Sequence, residues 1–417
     1  DGGCQMPDAG RRMKLPALDT SRSGSLCRTP RRHEMQITIT SASASTCRRR
    51  PPRLETSRLR DTFPASSSQF QPPDALGSWQ FRSESTRICD VDLSPVFAVY
   101  PIETIRDLLF AVSKRYADRS ALKVKKEGAY QPLTYTELRE SAEELGTAIA
   151  AMGLRKGDRI GIIGDNCPEW AVSYLAVVSM GLVAVPIDRD LKQREIHHIL
   201  GVAGVRMLIA GPKHLSLLQE DLAEVKGLEF IVTMGDQPGG PGLTFPEALE
   251  KGRAAVVGGD LSFAEATVAP DDLAVLIFTS GTTGASKGVM LTHRNIASNV
   301  VGTSCHVAIN HDDVLLSVLP LHHTYEATAG FLTALYQGAT ICYAESLRRV
   351  ADNLRETKAS VMLGVPALFE TMYRRIQAGI EEKGAGKFAL AKGAASLSEL
   401  VLRKNVRRTV FRKLHER

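Results

Sequence analysis

No two cysteines in this chain stand in a CxxC pair. The seven present (Cys4, Cys27, Cys47, Cys89, Cys167, Cys305 and Cys342) lie far apart. Neither a zinc ribbon nor a dense disulfide framework is therefore encoded, and a reducing compartment is the expected setting. Long apolar runs are missing too. The longest, "AVSYLAVVSMGLVAVPI" (Ala171–Ile187), contains Ser173, Ser179, Gly181 and Pro186 and falls short of the ~20 residues a membrane span needs. It reads as a buried helix that turns at Gly181 into a strand. Most of the chain also lacks an excess of one charge. Residues 1–60 hold 13 of the 52 Lys and Arg but 5 of the 46 Asp and Glu, so the remaining 39 and 41 nearly cancel. The formal +6 is thus a property of one end, and a nucleic-acid-binding surface inferred from global charge is excluded. No internal repeat of fixed period is visible.

Residues 1–92 are rich in Ser, Arg and Pro and poor in periodic apolar positions. Such a segment buries too little apolar surface to offset an ordering cost of ~1–2 kcal/mol per residue, so a disordered tail is predicted. An Arg- and Ser-rich, acid-poor start suits a targeting peptide. A chain beginning at Asp1 equally suits upstream sequence translated with a fragment, which is the preferred reading. From residue 93 the pattern becomes regular. "TYTELRESAEELGTAIAAMG" is spaced as a helix, with Thr136 the predicted N-cap and Gly153 the stop. "DRIGIIGDN", "LVAVPID", "VRMLIA", "LEFIVTMGD" and "LAVLIFTS" read as strands, and Pro168 opens the helix between the first two. Strands that alternate with helices of ~10–15 residues imply βαβ units: an α/β fold with a mostly parallel sheet flanked by helices.

One loop stands out. "FTSGTTGASKGVMLTH" (Phe278–His293) follows a buried strand directly. Gly281, Gly284 and Gly288 allow positive φ and close approach of backbone to a ligand. Successive N–H groups in such a turn make an anion-binding concavity. The hydroxyls of Thr279, Ser280, Thr282 and Thr283 add donors, and Lys287 adds a compact positive charge. A polyphosphate wants this many donors. The P-loop of nucleotide triphosphatases, GxxxxGK[ST], does not fit, because Ser286 precedes Lys287 and Gly288 follows it.

The segment resembles the phosphate-binding signature of the adenylate-forming (AMP-binding) superfamily, roughly [YF]TSG[ST]TGxPKGV, with Ser286 where proline is usual. "LTYTELRESAEELGTAIAAMGLRKGDRIGIIGDNCPEW", "LPLHHTYEATAGFLTALYQGATICYAE" and "SVMLGVPALFETM" resemble further motifs, nearest to the long-chain fatty acyl-CoA synthetases. The resemblance implies that 93–417 is the large N-terminal domain of the adenylate-forming fold, truncated. It also implies ATP-dependent activation of a long-chain fatty acid to an acyl-adenylate and then, with coenzyme A, to an acyl-CoA, with AMP and pyrophosphate released. By resemblance, Thr279, Ser280, Gly281, Thr282, Thr283, Gly284 and Lys287 bind the β- and γ-phosphates of ATP, with Thr279 a Mg²⁺ contact. His323 lines the acyl and adenylate site, Lys287 and His323 are the catalytic candidates, and Glu326 matches a glutamate of the long-chain branch. His322 reads instead as a core histidine, and Glu195, His197 and His198 as one solvated helix face.

Members of the superfamily continue past a point like Arg417 with an adenine loop, a Mg²⁺-binding glutamate and a mobile domain carrying a lysine. The expectation is thus a fragment inactive alone, a reading that pyrophosphate release from purified 1–417 would overturn. Alternatives are a fatty acyl-AMP or aryl-acid ligase of the same superfamily, or a non-catalytic nucleotide-binding module. The expected partners are the small-molecule substrates, with no nucleic acid, in a cytoplasmic setting. The basic amphipathic stretch around Val406, Val410, Phe411 and Leu414 either covers a core or touches an anionic membrane surface.

Overall fold

In a computed structural model the structure describes residues 97–218, 222–237, 242–279 and 287–378. The Ser/Arg/Pro-rich tail, loop residues Ser280, Gly281, Thr282, Thr283 and Gly284, and the basic stretch near the end lie outside the described residues. Helix α1 (Ile105–Tyr116) leads to a hairpin, β1 (Ser120–Lys126) and β2 (Ala129–Thr134), and then to α2 (Tyr135–Ala151). Alternation follows: β3 (Arg159–Ile163), α3 (Pro168–Ser179), β4 (Val183–Pro186), α4 (Gln193–Ala203), β5 (Val205–Ala210) and α5 (Pro212–Leu218). Next come β6 (Phe230–Thr233), β7 (Leu243–Thr244), α6 (Phe245–Val257), β8 (Leu273–Thr279), β9 (Lys287–Thr292) and α7 (His293–His306). After β10 (Val314–Ser317), a π-helical turn over Glu326–Leu332 runs into α8 (Thr333–Tyr336), β11 (Thr340–Tyr343), α9 (Val350–Thr357) and β12 (Val361–Met362).

Two sheets result. One has the order β7-β6-β5-β3-β4-β8-β9 and the other β12-β10-β11-β1-β2. Pairing is parallel except at one edge of each, where β8–β9 and β1–β2 are antiparallel. The expected parallel alternation is therefore present, and the two hairpins are additions. Lys126 and Ala129 close one of them through Glu127 and Gly128, both at positive φ. The other closes across the Gly/Thr loop, with Thr279 opposite Lys287. "KGVMLT" escapes a strand reading because Val289 and Met290 are both exposed, so no alternation of burial marks it.

The strands of the larger sheet carry apolar side chains on both faces. Ile160, Ile162, Met207 and Ile209 face the main core, shared with α1, α2, α3 and the second sheet. Ile163, Leu208 and Ala210 face a separate cluster under α4 and α5. Burial on both faces is what an all-parallel arrangement requires, and a side-chain period of two delivers it. Helix α3 is buried from Trp170 through Ser179 without a break, which explains its uniformly apolar sequence. Pro168 sits in its first turn, where its missing N–H costs nothing. Gly181, at φ +72°, turns the chain into β4. No helix among the described residues is long and apolar enough to cross a membrane.

The cap of α2 differs from the expectation. Thr134, not Thr136, accepts from the Glu137 backbone N–H, and the Glu137 carboxylate returns the bond to Thr134 N at 2.7 Å. Thr134 ends β2 with an extended backbone, which an N-cap needs; Thr136 is already helical and donates to the Ala117 carbonyl at 3.1 Å. Asp271 and Asp272, expected as loop charges, tie the base of the β8–β9 hairpin to its neighbours. Asp271 accepts a two-pronged bond from Arg294 at 2.8 and 2.9 Å, and Asp272 pairs with Lys156 at 2.6 Å.

Candidate active site

In an open parallel sheet the carboxyl ends of the strands form the natural ligand crevice. Here β4 and β8 run parallel and deliver Asp188 and Thr279 to the same end. The segment that follows β10 brings His322, His323 and Thr324 to meet them. Together these line a cavity of about 500 Å³, walled by Leu191 and Ile199 on one side and Val289 and Leu291 on the other. The first residue of the Gly/Thr loop and His323 thus share one space. Thr279, Lys287 and His323 are exposed, so a solute reaches all three.

Thr324 also lines a second cavity, of about 680 Å³. Its walls are Gly302 and Thr303 from α7 with Val307 just past it, Thr328 and Ala329 from the π-turn, and Val361 and Met362 from the last strand with Leu363 after them. Apart from Asn299, His306 and several hydroxyls, that lining is apolar. A chamber at the strand ends that sets Asp188, Glu195, Thr279, His322 and His323 among apolar walls therefore adjoins a more strongly apolar one.

The turn carrying His322 and His323 is held from below. Asn166, just past β3, donates to Ser317 Oγ at 3.1 Å and to the Leu319 carbonyl at 2.7 Å. Its own carbonyl accepts from Leu321 N at 3.1 Å. Ser317 in turn donates to Glu326 Oε1 at 2.7 Å. One asparagine from the larger sheet thus fixes a loop of the smaller sheet on both sides. The π-turn begins at Glu326, and Ala327 N donates to the His323 carbonyl at 2.9 Å.

Glu326 is 1% exposed, and its Oε2 finds no partner among the described residues. Burial pushes its carboxyl up to about 7, against a smaller downward pull from the Ser317 hydrogen bond. Gly330 makes this room, because a Cβ there would lie 2.7 Å from the carboxylate. Glu326 supports the histidine turn from inside the protein. The unfolded carboxyl ionises near 4.5, whereas the folded one stays neutral until about 7. The wild type therefore carries a folding penalty that grows as pH rises above about 4.5 and is nearly absent at pH 4, reaching on the order of 3 kcal/mol at most above neutral pH. Glu326→Gln is expected to match the wild type in thermal midpoint at pH 4 and exceed it at pH 8. Equal midpoints at both values would refute the buried neutral carboxyl.

His322 and His323 divide their roles as the sequence suggests only in part. His322 is buried, as a core histidine should be, yet it lines the cavity and its Nε2 lies 3.2 Å from Asp188 Oδ1. Burial lowers its pKa to about 4 despite Asp188, so it is neutral near pH 7. His293, the last residue of the quoted loop, is fully buried and accepts from Ile105 N at 3.2 Å. It is structural. Asp188, Asn166 and Thr324 escaped the sequence reading. Position alone could have marked the first two, since each follows a parallel strand at its carboxyl end.

Two mostly parallel sheets, with Thr279 and His323 lining one cavity at the strand ends, are those of the large domain of the adenylate-forming class. Residues 109–415 match the family model for the AMP-binding enzymes, and the chain belongs to that family. It is 27% identical over 342 residues to "Long chain acyl-CoA synthetase 7, peroxisomal" of Arabidopsis thaliana, covering 78% of this chain and 48% of that protein. It is 30% identical over 273 residues to "Long-chain-fatty-acid--CoA ligase 6" of Mus musculus, covering 60% and 38%. Its fold is similar to the crystal structure of a long-chain-fatty-acid-CoA ligase from Archaeoglobus fulgidus, with TM-score 0.58 and 21% identity over 67% of this chain and 55% of that one. The chain thus spans less than half the length of these two curated relatives.

Proposed function

We propose that this chain supplies the large domain of an acid–thiol ligase that activates long-chain fatty acids at the expense of ATP. One observation carries the reading: Thr279 and His323 line one cavity with the titratable groups Asp188, Glu195 and His322, and Thr324 continues its wall into a mainly apolar cavity of about 680 Å³. A carboxylate headgroup with a hydrocarbon tail matches that division.

The reaction has two halves. The acid's carboxylate oxygen attacks the α-phosphorus, the α–β phosphoanhydride bond breaks, and pyrophosphate leaves. The thiol sulfur of coenzyme A then attacks the acyl carbon, AMP leaves, and the thiol proton passes to solvent. In the first half negative charge shifts onto phosphate oxygens, so pre-placed donors and charge do the catalytic work. The loop from Thr279 to Lys287 supplies them, with Lys287 facing the departing pyrophosphate. His323, exposed beside Thr279, orients the carboxylate. Mg²⁺ bound with ATP would neutralise phosphate charge. The exposed Thr279 hydroxyl fits as a single oxygen ligand to an ion that keeps waters and phosphates for the rest.

The test is carboxylate-dependent ATP–pyrophosphate exchange by a polypeptide that continues this chain to the length of its relatives, across acids of graded length. Exchange that rises with chain length, and acyl-CoA formation when coenzyme A is added, are expected. Exchange confined to aromatic acids would identify an aryl-acid ligase instead, and exchange with no thioester an acyl-AMP ligase.

A further inference from the structure

We propose that Asp188, His322 and His323 form a binding site for a borderline divalent cation of the Zn²⁺ type, separate from any ion that accompanies ATP. One ligand atom from each lies within 4.8 Å of the other two. Two imidazoles and a carboxylate are the donor set of many mononuclear zinc sites, at about 2.0–2.2 Å from the metal, with a fourth position left for water. Mg²⁺ prefers oxygen ligands and sheds water reluctantly, so this set discriminates against it.

Three further features favour a ligand here. His322 is only 6% exposed, yet its Nε2 has no hydrogen-bond partner among the described residues, although Asp188 Oδ1 is 3.2 Å away. A buried nitrogen left so is costly, and a metal would satisfy it. Secondly, Asp188 Oδ1 already accepts from Asp190 N at 2.9 Å, the outer contact that orients a ligating carboxylate. Thirdly, the competing cation is occupied elsewhere: Arg189 pairs with Asp165 at 2.7 Å. His323 and Asp188 keep solvent exposure, so small side-chain rotations suffice to close the site, and the cavity supplies room for water. The proposal concerns binding and stands whether or not the ligase reading holds.

Cobalt(II) reports the site directly. The purified 417-residue chain, titrated with Co²⁺ at neutral pH in excess Mg²⁺, is expected to bind one equivalent with a visible band of four- or five-coordinate type. No thiolate-to-cobalt charge-transfer band should appear, and Zn²⁺ should displace the ion. His322→Ala/His323→Ala should abolish the band, and Asp188→Asn should weaken binding at least as much as the roughly 10–100-fold that outer-contact losses cost. His311→Ala, at an exposed site, should leave it unchanged, and far-ultraviolet circular dichroism should show all variants folded. Absence of a stoichiometric band, its persistence in the folded double variant, or a thiolate charge-transfer band would overturn the assignment.

Discussion

Lys287→Ala is expected to lower kcat/KM for ATP by about 100- to 1000-fold while changing the KM for the acid by less than about threefold. The magnitude is that of losing one pre-placed charge or donor from a site where negative charge develops. The direction follows from position. Lys287 opens β9 directly opposite Thr279, at the far end of the Gly/Thr loop. It is exposed, and no ion pair to it is found among the described residues, so its charge is available to a ligand. The apolar cavity is bounded by α7, the π-turn and the last strand, so an acid tail seated there would not touch Lys287. The measurement is pyrophosphate exchange against ATP at saturating acid and against acid at saturating ATP, in a polypeptide of the relatives' length. Lys287→Arg should recover part of the loss, because charge is kept while the compact geometry is not. Unchanged dependence on ATP in Lys287→Ala would remove the loop from the nucleotide site.

Gly252→Ala is expected to destabilise the fold by about 2–3 kcal/mol or more, although alanine ordinarily stabilises a helix relative to glycine by ~1 kcal/mol. Gly252 lies on α6 where that helix meets the backbone of α2. A Cβ at this position would sit 2.5 Å from the Glu144 carbonyl carbon and closer still to its oxygen. Backbone cannot rotate away as a side chain can, so the helices must separate. The contact they would loosen includes Phe245 and Ala248 of α6 and Leu145 of α2, all buried in the main core. Forced insertion into a packed core typically costs ~1–3 kcal/mol, and here it adds to lost burial. Gly201→Ala on α4 is the control. Nothing lies within 4 Å of a Cβ there, so that variant should gain about 0.5–1 kcal/mol. Urea unfolding of both variants checks the opposite signs. A Gly252→Ala protein as stable as the wild type would contradict the close approach.

Much of the architecture was legible because local patterns and global packing agree. Helix α3 announces itself as buried through its unbroken apolar run, and Pro168 and Gly181 mark its ends. The parallel strands read as short apolar segments because both their faces are covered. The antiparallel edges were not legible in the same way. β9 exposes Val289 and Met290, and β2 (Ala129–Thr134) carries Gln131 and then Pro132 at its middle, so neither shows the alternation of a half-buried strand. Thr136 was mistaken for a cap because Thr134 and Thr136 are chemically alike. Only the end of β2 decides which of them has the extended backbone that accepts the bond.

For the site, sequence alone determined the loop chemistry. Glycines, hydroxyls and a lysine at fixed spacing put the donors that an anion would use next to one another in the chain. What only the tertiary structure decided is which distant residues share a cavity with Thr279. Asp188, His322, His323 and Thr324 belong to segments more than a hundred residues apart in part, and parallel pairing of β4 with β8 brings the first to the loop. Whether a carboxyl such as Glu326 stays ionised, or an imidazole such as His322 stays neutral, depends on the water removed from around it. Burial is a property of the assembled fold, and no spacing of letters records it.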